Sequence, residues 1–483
     1  MSSAPRVSPW LVLVAATGSL SMVMLDSTVV GVALPSIQQD LGLTTSERGW
    51  IVSSYLLAMA ALMALGGRTG DRIGHVLAFR TGLLGFGVAS VMCGLSEGPA
   101  TIISWRVMQA VCVALMQPAA TAMVVSSFPR ERLGRVMAVY IGIPLLFLAG
   151  GPVLGGAITE WAGWRWIFLP NALIALAAIA MTFGIGLRND PGHPRAFHPF
   201  APVLLVFSLS ALGIGLQELG DDFGSAIWSA PLMVGGAVAF LAFLWWQYRS
   251  PRPLLALTVF HDRVLLRDAL LIAFAQLALV GQGIFGPIYL QVVMGMSPLD
   301  SGLAALPLVA PNVIVIHFAG RAYDRWGGRA PVLGGAMTVL VGLLVESAGM
   351  WIVDYTIIAI GMGLIGCGIP FILNPSNTDG MARAPADKRA EVSGLLQTGR
   401  QFGSAFGITT VIASVHLWSS ILQPGDAGAA GMMDRLRDGD QTLAVGHAIS
   451  LTFGTQALAA LIVVWLALGL PSRDGATSSQ ASA

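Results

Sequence analysis

Runs of about 20 apolar residues alternate with short polar breaks along nearly the whole chain, the pattern expected of helices that each cross a hydrocarbon layer about 30 Å thick. The breaks carry turn and charge signals, among them Pro129-Arg130-Glu131-Arg132, Asn189-Asp190-Pro191-Gly192, Ser250-Pro251-Arg252-Pro253 and Ala384-Pro385-Ala386-Asp387. They delimit fourteen helices, at about 10–35, 49–66, 77–96, 101–126, 135–158, 165–187, 200–218, 226–248, 266–293, 302–319, 331–350, 355–380, 392–421 and 448–469. The first apolar run is too long for a signal-peptide core and reads as a retained helix.

One polar frame occurs twice. Gly67-Arg68-Thr69-Gly70-Asp71-Arg72-Ile73-Gly74 and Gly320-Arg321-Ala322-Tyr323-Asp324-Arg325-Trp326-Gly327 both read G-x-x-x-D-R-x-G, 253 positions apart, and both lie between apolar runs. Two copies in matching contexts indicate an internal duplication. Each is expected to be a tight loop between two membrane helices, with the Asp and Arg at the surface. The loops join helices 2 and 3 and helices 10 and 11. The expected architecture is therefore an all-α polytopic membrane protein built from two six-helix bundles. The N-terminal bundle covers 1–187, an inserted helix pair 188–248, a cytoplasmic linker 249–265 and the C-terminal bundle 266–470; residues 471–483 form a Ser- and Ala-rich disordered tail. The stretch 422–447 is expected to be the longest polar loop.

Composition supports the membrane reading. The chain of 483 residues is 55% hydrophobic and only 11% charged, with mean hydropathy +0.75, against about 25% charged residues in soluble proteins. A net charge of +1 gives no case for a nucleic-acid partner. Cys93, Cys112 and Cys367 all fall in apolar runs and read as packing residues, not as disulfides or metal ligands. With the N-terminus inside, the inner segments hold twenty basic residues and the outer segments four, which directs both termini to the cytoplasm.

Against this background a few polar residues carry candidate chemistry. Asp26 lies inside helix 1 on a face of small residues with Ala15, Gly18, Ser19, Met22, Val30 and Ala33. A carboxylate in hydrocarbon is expensive, so its charge state can respond to pH or to a ligand. Arg106, inside helix 4, falls at nearly the same depth and is expected to partner Asp26 directly, through water or through Gln109; Gln117 falls on the same face. A structural hydrogen bond for Asp26 and a snorkelling side chain for Arg106 are the alternatives. Gln276, Gln282, Asn312, His317, Asn374, Gln397 and Arg400 also interrupt apolar runs and are candidates to line a central cavity. His317 could be a second proton site or a satisfied structural histidine. Glu218 and Glu346 fall near outer helix ends and read as interfacial, which leaves Asp26 as the sole acid well inside the membrane. Such a site favours neutral or singly charged lipophilic substrates. Helix 5, with Gly142-Ile143-Pro144 and Gly150-Gly151-Pro152-Val153-Leu154-Gly155-Gly156, carries a density of Gly and Pro that permits close packing and a kink.

Together these stretches resemble the major facilitator superfamily in its fourteen-helix drug:proton antiporter branch. The family's loop motif is similar to Gly67–Gly74, its helix 1 motif to Leu25–Pro35, its helix 4 motif to Arg106–Gln109, its antiporter motif to Gly151–Gly156 and its helix 13 pattern to Thr398–Gly403. The chain has His75 and Val76, Gly31 and Ala110 where the motifs usually have two basic residues, Asn and Gly. The resemblance implies alternating access and proton-coupled efflux of drugs or antibiotics across the cytoplasmic membrane. It also implies proton coupling at Asp26 tuned by Arg106, and gating at Gly67, Asp71, Arg72, Gly74, Gly151, Pro152, Gly155, Gly156, Asp324 and Arg325, with Asp71 latching onto the start of helix 13. It implies a non-enzymatic protein working as a monomer, without cofactor, in contact with lipid, protons and a small lipophilic substrate. Import or exchange of a specific metabolite is the alternative.

Overall fold

In a computed structural model the described residues are 8–184, 200–221, 226–250, 262–383, 389–422 and 439–470. They form helices throughout: α1 (Pro9–Leu41), α2 (Thr45–Ile73), α3 (His75–Gly94), α4 (Pro99–Ser127), α5 (Arg130–Trp161), a 3-10 turn (Trp164–Phe168) leading into α6 (Leu169–Gly184), α7 (Phe200–Asp221), α8 (Ala226–Arg249), α9 (Arg263–Val280), α10 (Gln282–Val292), α11 (Pro298–Ala304), α12 (Leu306–Trp326), α13 (Arg329–Ile352), α14 (Tyr355–Arg383), α15 (Arg389–Leu422) and α16 (Gly439–Leu468). Ten spans among the described residues are long and apolar enough to cross a membrane, and twelve when two bent pairs are each taken as one. The bends fall between Glu47–Met63 and Leu65–Ile73 in α2 (53°) and between Gly142–Leu148 and Gly150–Trp161 in α5 (40°).

Side-chain contacts fix which helix ends lie together. Trp10 meets Phe128, Arg80 donates to Thr182, and Arg267 donates to the Gly469 carbonyl. These pair the start of α1 with the end of α4, the start of α3 with the end of α6 and the start of α9 with the end of α16; these helix ends are called the terminal end below. Asp40, Ser96, Trp164 and Arg165 gather at the other, far end, where Arg165 pairs with Asp40 and donates to the Ser96 carbonyl.

Three expectations are corrected. The repeated frames are not loops. Residues 67–73 continue α2, and only Gly74, at φ 94°, makes the turn into α3. The second copy likewise runs helically to Trp326 and turns at Gly327, φ 74°. Within each frame the helix continues up to the glycine: Gly74 N–H closes onto Gly70 O (2.9 Å) and Gly327 N–H onto Tyr323 O (2.8 Å). Both glycines adopt a backbone that side chains resist, so the motif is a helix end with an abrupt stop. Second, the ninth span is broken at Gly281 and the tenth at Ala305. Gly281, Gly283 and Pro287 weaken the first, and Pro307, which has no N–H, opens α12 in the second. Third, the polar stretch 422–447 is shorter than expected, because α16 begins at Gly439. Residues 251–261 of the linker, 423–438 of that loop and the tail 471–483 lie outside the described residues.

The two halves meet closely at the far end. Gln291 Nε2 donates to the Val32 carbonyl (2.9 Å), and Leu299 N–H donates to Glu160 Oε2 (3.1 Å). The antiporter-like stretch of α5 makes this fit possible. A Cβ on Gly151 would overlap Thr28, and one on Gly155 would stand 3.0 Å from Val29 Cα. A Cβ on Gly156 would overlap the Pro298 carbonyl, and one on Gly302 would overlap the Pro152 carbonyl. Gly151 and Gly155 thus seat α5 on α1, while Gly156 and Gly302 let α5 and α11 approach backbone to backbone.

Candidate functional site

Asp26 stands in α1 with 3% of its surface exposed and is held by two neighbouring helices. Arg106 on α4 donates from Nη1 to Asp26 Oδ2 (2.6 Å), and Asn171 on α6 donates from Nδ2 to Asp26 Oδ1 (2.7 Å). Arg106 is itself 1% exposed. Its Nε donates to the Ile51 carbonyl of α2 (3.1 Å), its Nη1 also donates to Gln109 Oε1 (2.9 Å), and its guanidinium lies 4.2 Å from the Tyr55 ring centroid. Gln109 Nε2 donates to Ser90 Oγ on α3 (2.7 Å), and the Cys93 thiol approaches Gln109 Oε1 at 3.6 Å. One network thus ties α1, α2, α3, α4 and α6 around a single buried ion pair.

The physical chemistry of such a pair is asymmetric. Intact, its charges compensate one another. Removal of one partner strands the other in a low-dielectric interior and costs about 3–5 kcal/mol. Adding a proton to Asp26 has the same electrostatic effect, because it removes the negative charge that faces Arg106. A neutral Asp26 would be a weaker acceptor for the guanidinium, which already donates to the Ile51 carbonyl and Gln109 Oε1 as well. Asn171 and the Ile51 carbonyl connect the pair to α6 and α2.

The direct Asp26–Arg106 contact and the place of Gln109 follow the sequence expectation. Gln117 is half-buried and lies eleven residues further along α4, about 16 Å away at 1.5 Å per residue. Of the cavity candidates, Gln276 donates to Ser404 Oγ (3.3 Å), linking α9 to α15. Asn374 donates to the Ile316 carbonyl (3.1 Å), linking α14 to α12. Asn312 and Arg400 are half-buried; the side chains of His317 and Gln397 lie outside the described residues. Beside Gln397 and Arg400 on the same helix, Gln401 Nε2 reaches Met59 Sδ of α2 (3.6 Å), a contact between the halves. The gating candidates on α2 and α12 sit apart from the ion pair, at the terminal end, whereas Gly151, Pro152, Gly155 and Gly156 of α5 lie at the far end. Asp71 lies 3.6 Å from His75 Nε2 and is half-exposed, and Arg72 is exposed beside it. Gly67 packs on Pro118, and Asp324 and Arg325 are exposed at the end of α12.

Two sequence expectations about acids change. Glu346 is not interfacial but 0% exposed, with Gln282 Nε2 on its Oε2 (2.7 Å). Asp268 is also fully buried, so Asp26 is not the sole enclosed acid and the argument for low substrate charge loses its premise. The side chain of Glu218 lies outside the described residues. Asn171 and Tyr55 were not legible as site residues, although a lone Asn after Pro170 in an apolar run was a usable signal.

Residues 16–408 match the family model of the Major Facilitator Superfamily. The chain belongs to the major facilitator superfamily. The transporter is 31% identical over 430 residues to a tetracenomycin C resistance and export protein of Streptomyces glaucescens, covering 87% of this chain and 78% of that protein. It is 31% identical over 485 residues to a puromycin resistance protein of Streptomyces alboniger, covering 95% and 92%. It is 28% identical over 417 residues to the multidrug resistance protein Stp of Mycobacterium tuberculosis, covering 86% and 77%. Among solved structures, a bacterial homologue of the human lysosomal transporter Spinster, inward-facing and unoccupied, superposes with TM-score 0.66 at 16% identity, covering 96% of this chain and 97% of that one. The protein is thus a multi-pass membrane transporter of small molecules, and its relatives are drug-resistance and export proteins.

Proposed function

We propose that the protein is a proton-driven antiporter that exports lipophilic drugs or antibiotics across the cytoplasmic membrane by alternating access. The observation that carries this reading is the buried Asp26–Arg106 pair with Asn171 and Gln109; a proton on Asp26 would weaken its hold on Arg106. The resistance and export proteins among its relatives supply the direction of transport. In this reading α7 and α15 are the remaining two spans of a fourteen-helix chain with both termini cytoplasmic, so the far end faces outward. The far end is closed by the α5–α11 contact, and substrate enters from the terminal end. The transporter acts as a monomer, with no cofactor beyond the proton gradient. A susceptibility panel in a pump-deficient host tests export: expression should raise resistance to lipophilic antibiotics such as puromycin, and an uncoupler should abolish the gain.

Two expected results follow from this topology. Single cysteines at 221–225 and at 426–440 should react with an impermeant thiol reagent added outside intact cells; labelling only after lysis would overturn the fourteen-helix arrangement. Asp71 acts, in this reading, in the opposite state, where the terminal end is closed and its carboxylate meets the positive end of α15. A charge at a helix terminus contributes up to about 2 kcal/mol, so its loss shifts the balance of states by about tenfold or somewhat more. Asp71→Asn should insert and fold normally and lose transport on that scale, with Asp324→Asn milder. Wild-type transport rates in Asp71→Asn would remove the latch.

A further inference from the structure

A second buried carboxyl lies outside the Asp26 network, in the C-terminal half. Glu346 sits six residues from the end of α13, about 9 Å in from the far end. Gln282, the first residue of α10 after the break at Gly281, donates Nε2 to Glu346 Oε2 at 2.7 Å. Among the described residues the other oxygen, Glu346 Oε1, has no hydrogen-bond partner, and neither has Gln282 Oε1. Two buried acceptors facing no donor are costly. A single proton removes both costs: a carboxylic acid and a primary amide close a ring in which the amide N–H donates to the acid carbonyl and the acid O–H donates to the amide carbonyl. The terminal torsions of both side chains are soft, so this ring needs no backbone change.

The surroundings favour the neutral acid. On the α14 side a Cβ on Gly361 would stand 2.6 Å from Glu346 Cβ, so bare backbone covers the stem of the side chain. On the α16 side Ser450 exchanges hydrogen bonds with Ser347. Gln456 lies against Gly281, and both its polar atoms lack hydrogen-bond partners among the described residues. The titratable groups on the elements packed here are engaged elsewhere. Tyr289 donates to the Met350 carbonyl, Tyr355 to the Ala304 carbonyl, His447 stacks on Trp351, and Asp354 caps α14. Asp268 and Arg267 on α9, and Arg321, Asp324 and Arg325 on α12, lie toward the terminal end. No ion pair to Glu346 occurs among the described residues. Glu346 also stands 253 residues after Cys93, the separation of the two repeated frames. It therefore occupies in the second half the place from which Cys93 touches Gln109 in the first.

We propose that Glu346 is a second proton-binding site of this transporter, holding a proton on Oε1 shared with Gln282 and releasing it when movement at the Gly281 break parts the two side chains. The step breaks the Oε1–H bond and passes H+ to water, leaving a carboxylate beside the unpaired amide of Gln456. The role in transport rests on the proton-driven reading above; proton binding itself does not.

Infrared difference spectroscopy of the purified full-length protein, between acid and alkaline pH, tests the binding directly. The wild type should show a protonated-carboxyl band that disappears on alkalinisation. Glu346→Gln should lack that band, and Gln282→Leu should keep it at a shifted frequency because the amide partner is gone. Glu346→Gln keeps the volume and a neutral amide pair, and its elution and melting profiles report folding. The same bands in wild type and Glu346→Gln, or a band that persists at every pH at which the protein stays folded, would overturn the proposal. In proteoliposomes, with ethidium as probe and the membrane potential clamped at zero, the loss of one coupled proton should lower steady-state accumulation about tenfold per unit of pH gradient. Equal accumulation by a pH-driven wild type and Glu346→Gln would contradict the coupled role. A wild type that a pH gradient does not drive would overturn the antiport reading, while the infrared result still decides the site.

Discussion

Replacing Asp26 by Asn is expected to abolish uphill efflux while downhill exchange of substrate persists. Asn fills nearly the same volume and can still accept from Asn171 or Arg106, so the site stays packed. It cannot, however, alternate between a charged and a neutral state. Without that alternation Arg106 experiences one constant environment, and the helices tied to it receive no proton-dependent signal, so a proton on Glu346 does not by itself drive efflux. The variant also leaves the Arg106 charge without its partner, which costs about 3–5 kcal/mol in a fully buried site. Lower thermal stability should therefore accompany the loss, and Arg106→Ala should show it too, with added loss from the Tyr55 and Ile51 contacts. Counterflow of labelled substrate separates the two effects. Exchange without accumulation is the expected result; retained accumulation against a gradient would move the proton site elsewhere.

The second large effect belongs to Gly156. Its Cα hydrogen faces the Pro298 carbonyl and Leu299 Cα of the other half so closely that any side chain would overlap backbone. Neither atom can swing aside as a side-chain tip would. Gly156→Val should therefore bar the closed far end and hold the transporter away from this state. Overpacking of about 1–3 kcal/mol corresponds to roughly tenfold to hundredfold depletion of the closed state, and transport should fall on that scale. Gly142→Ala, on the same helix with no heavy atom within 4 Å, serves as the control and should transport normally. Cysteines placed at the far end should become more reactive from outside in Gly156→Val. Normal transport by Gly156→Val would remove the far-end closure from the cycle.

The readable parts of the sequence were those where chemistry and apolar length coincide. Asp26 and Arg106 interrupt runs that would otherwise be uniform, and counting residues from the helix ends put them at one depth. The duplicated frame also exposed the two-half construction. Its description as a loop failed because glycine in a membrane helix was taken as a break, whereas only Gly74 and Gly327 adopt positive φ. Glu346 was misread for a related reason. Distance from a helix end measures depth along one helix and ignores what lies beside it. Here Gly361 brings the α14 backbone over the side chain and the break at Gly281 delivers Gln282 to it. Asn171 and Tyr55 escaped notice because a network partner is defined by the fold that brings it 2.7 Å or 4.2 Å from its target, not by its own neighbours in the chain.

The central claim is that substrate leaves in exchange for protons. Purified transporter in proteoliposomes, with a pH-sensitive dye enclosed and an inward proton gradient imposed, measures this directly. The account predicts that adding ethidium or puromycin on the inside accelerates proton entry, that the substrate moves outward against its own gradient, and that Asp26→Asn shows neither. Proton entry that is indifferent to substrate, or outward movement that continues after the gradient is collapsed, would contradict it.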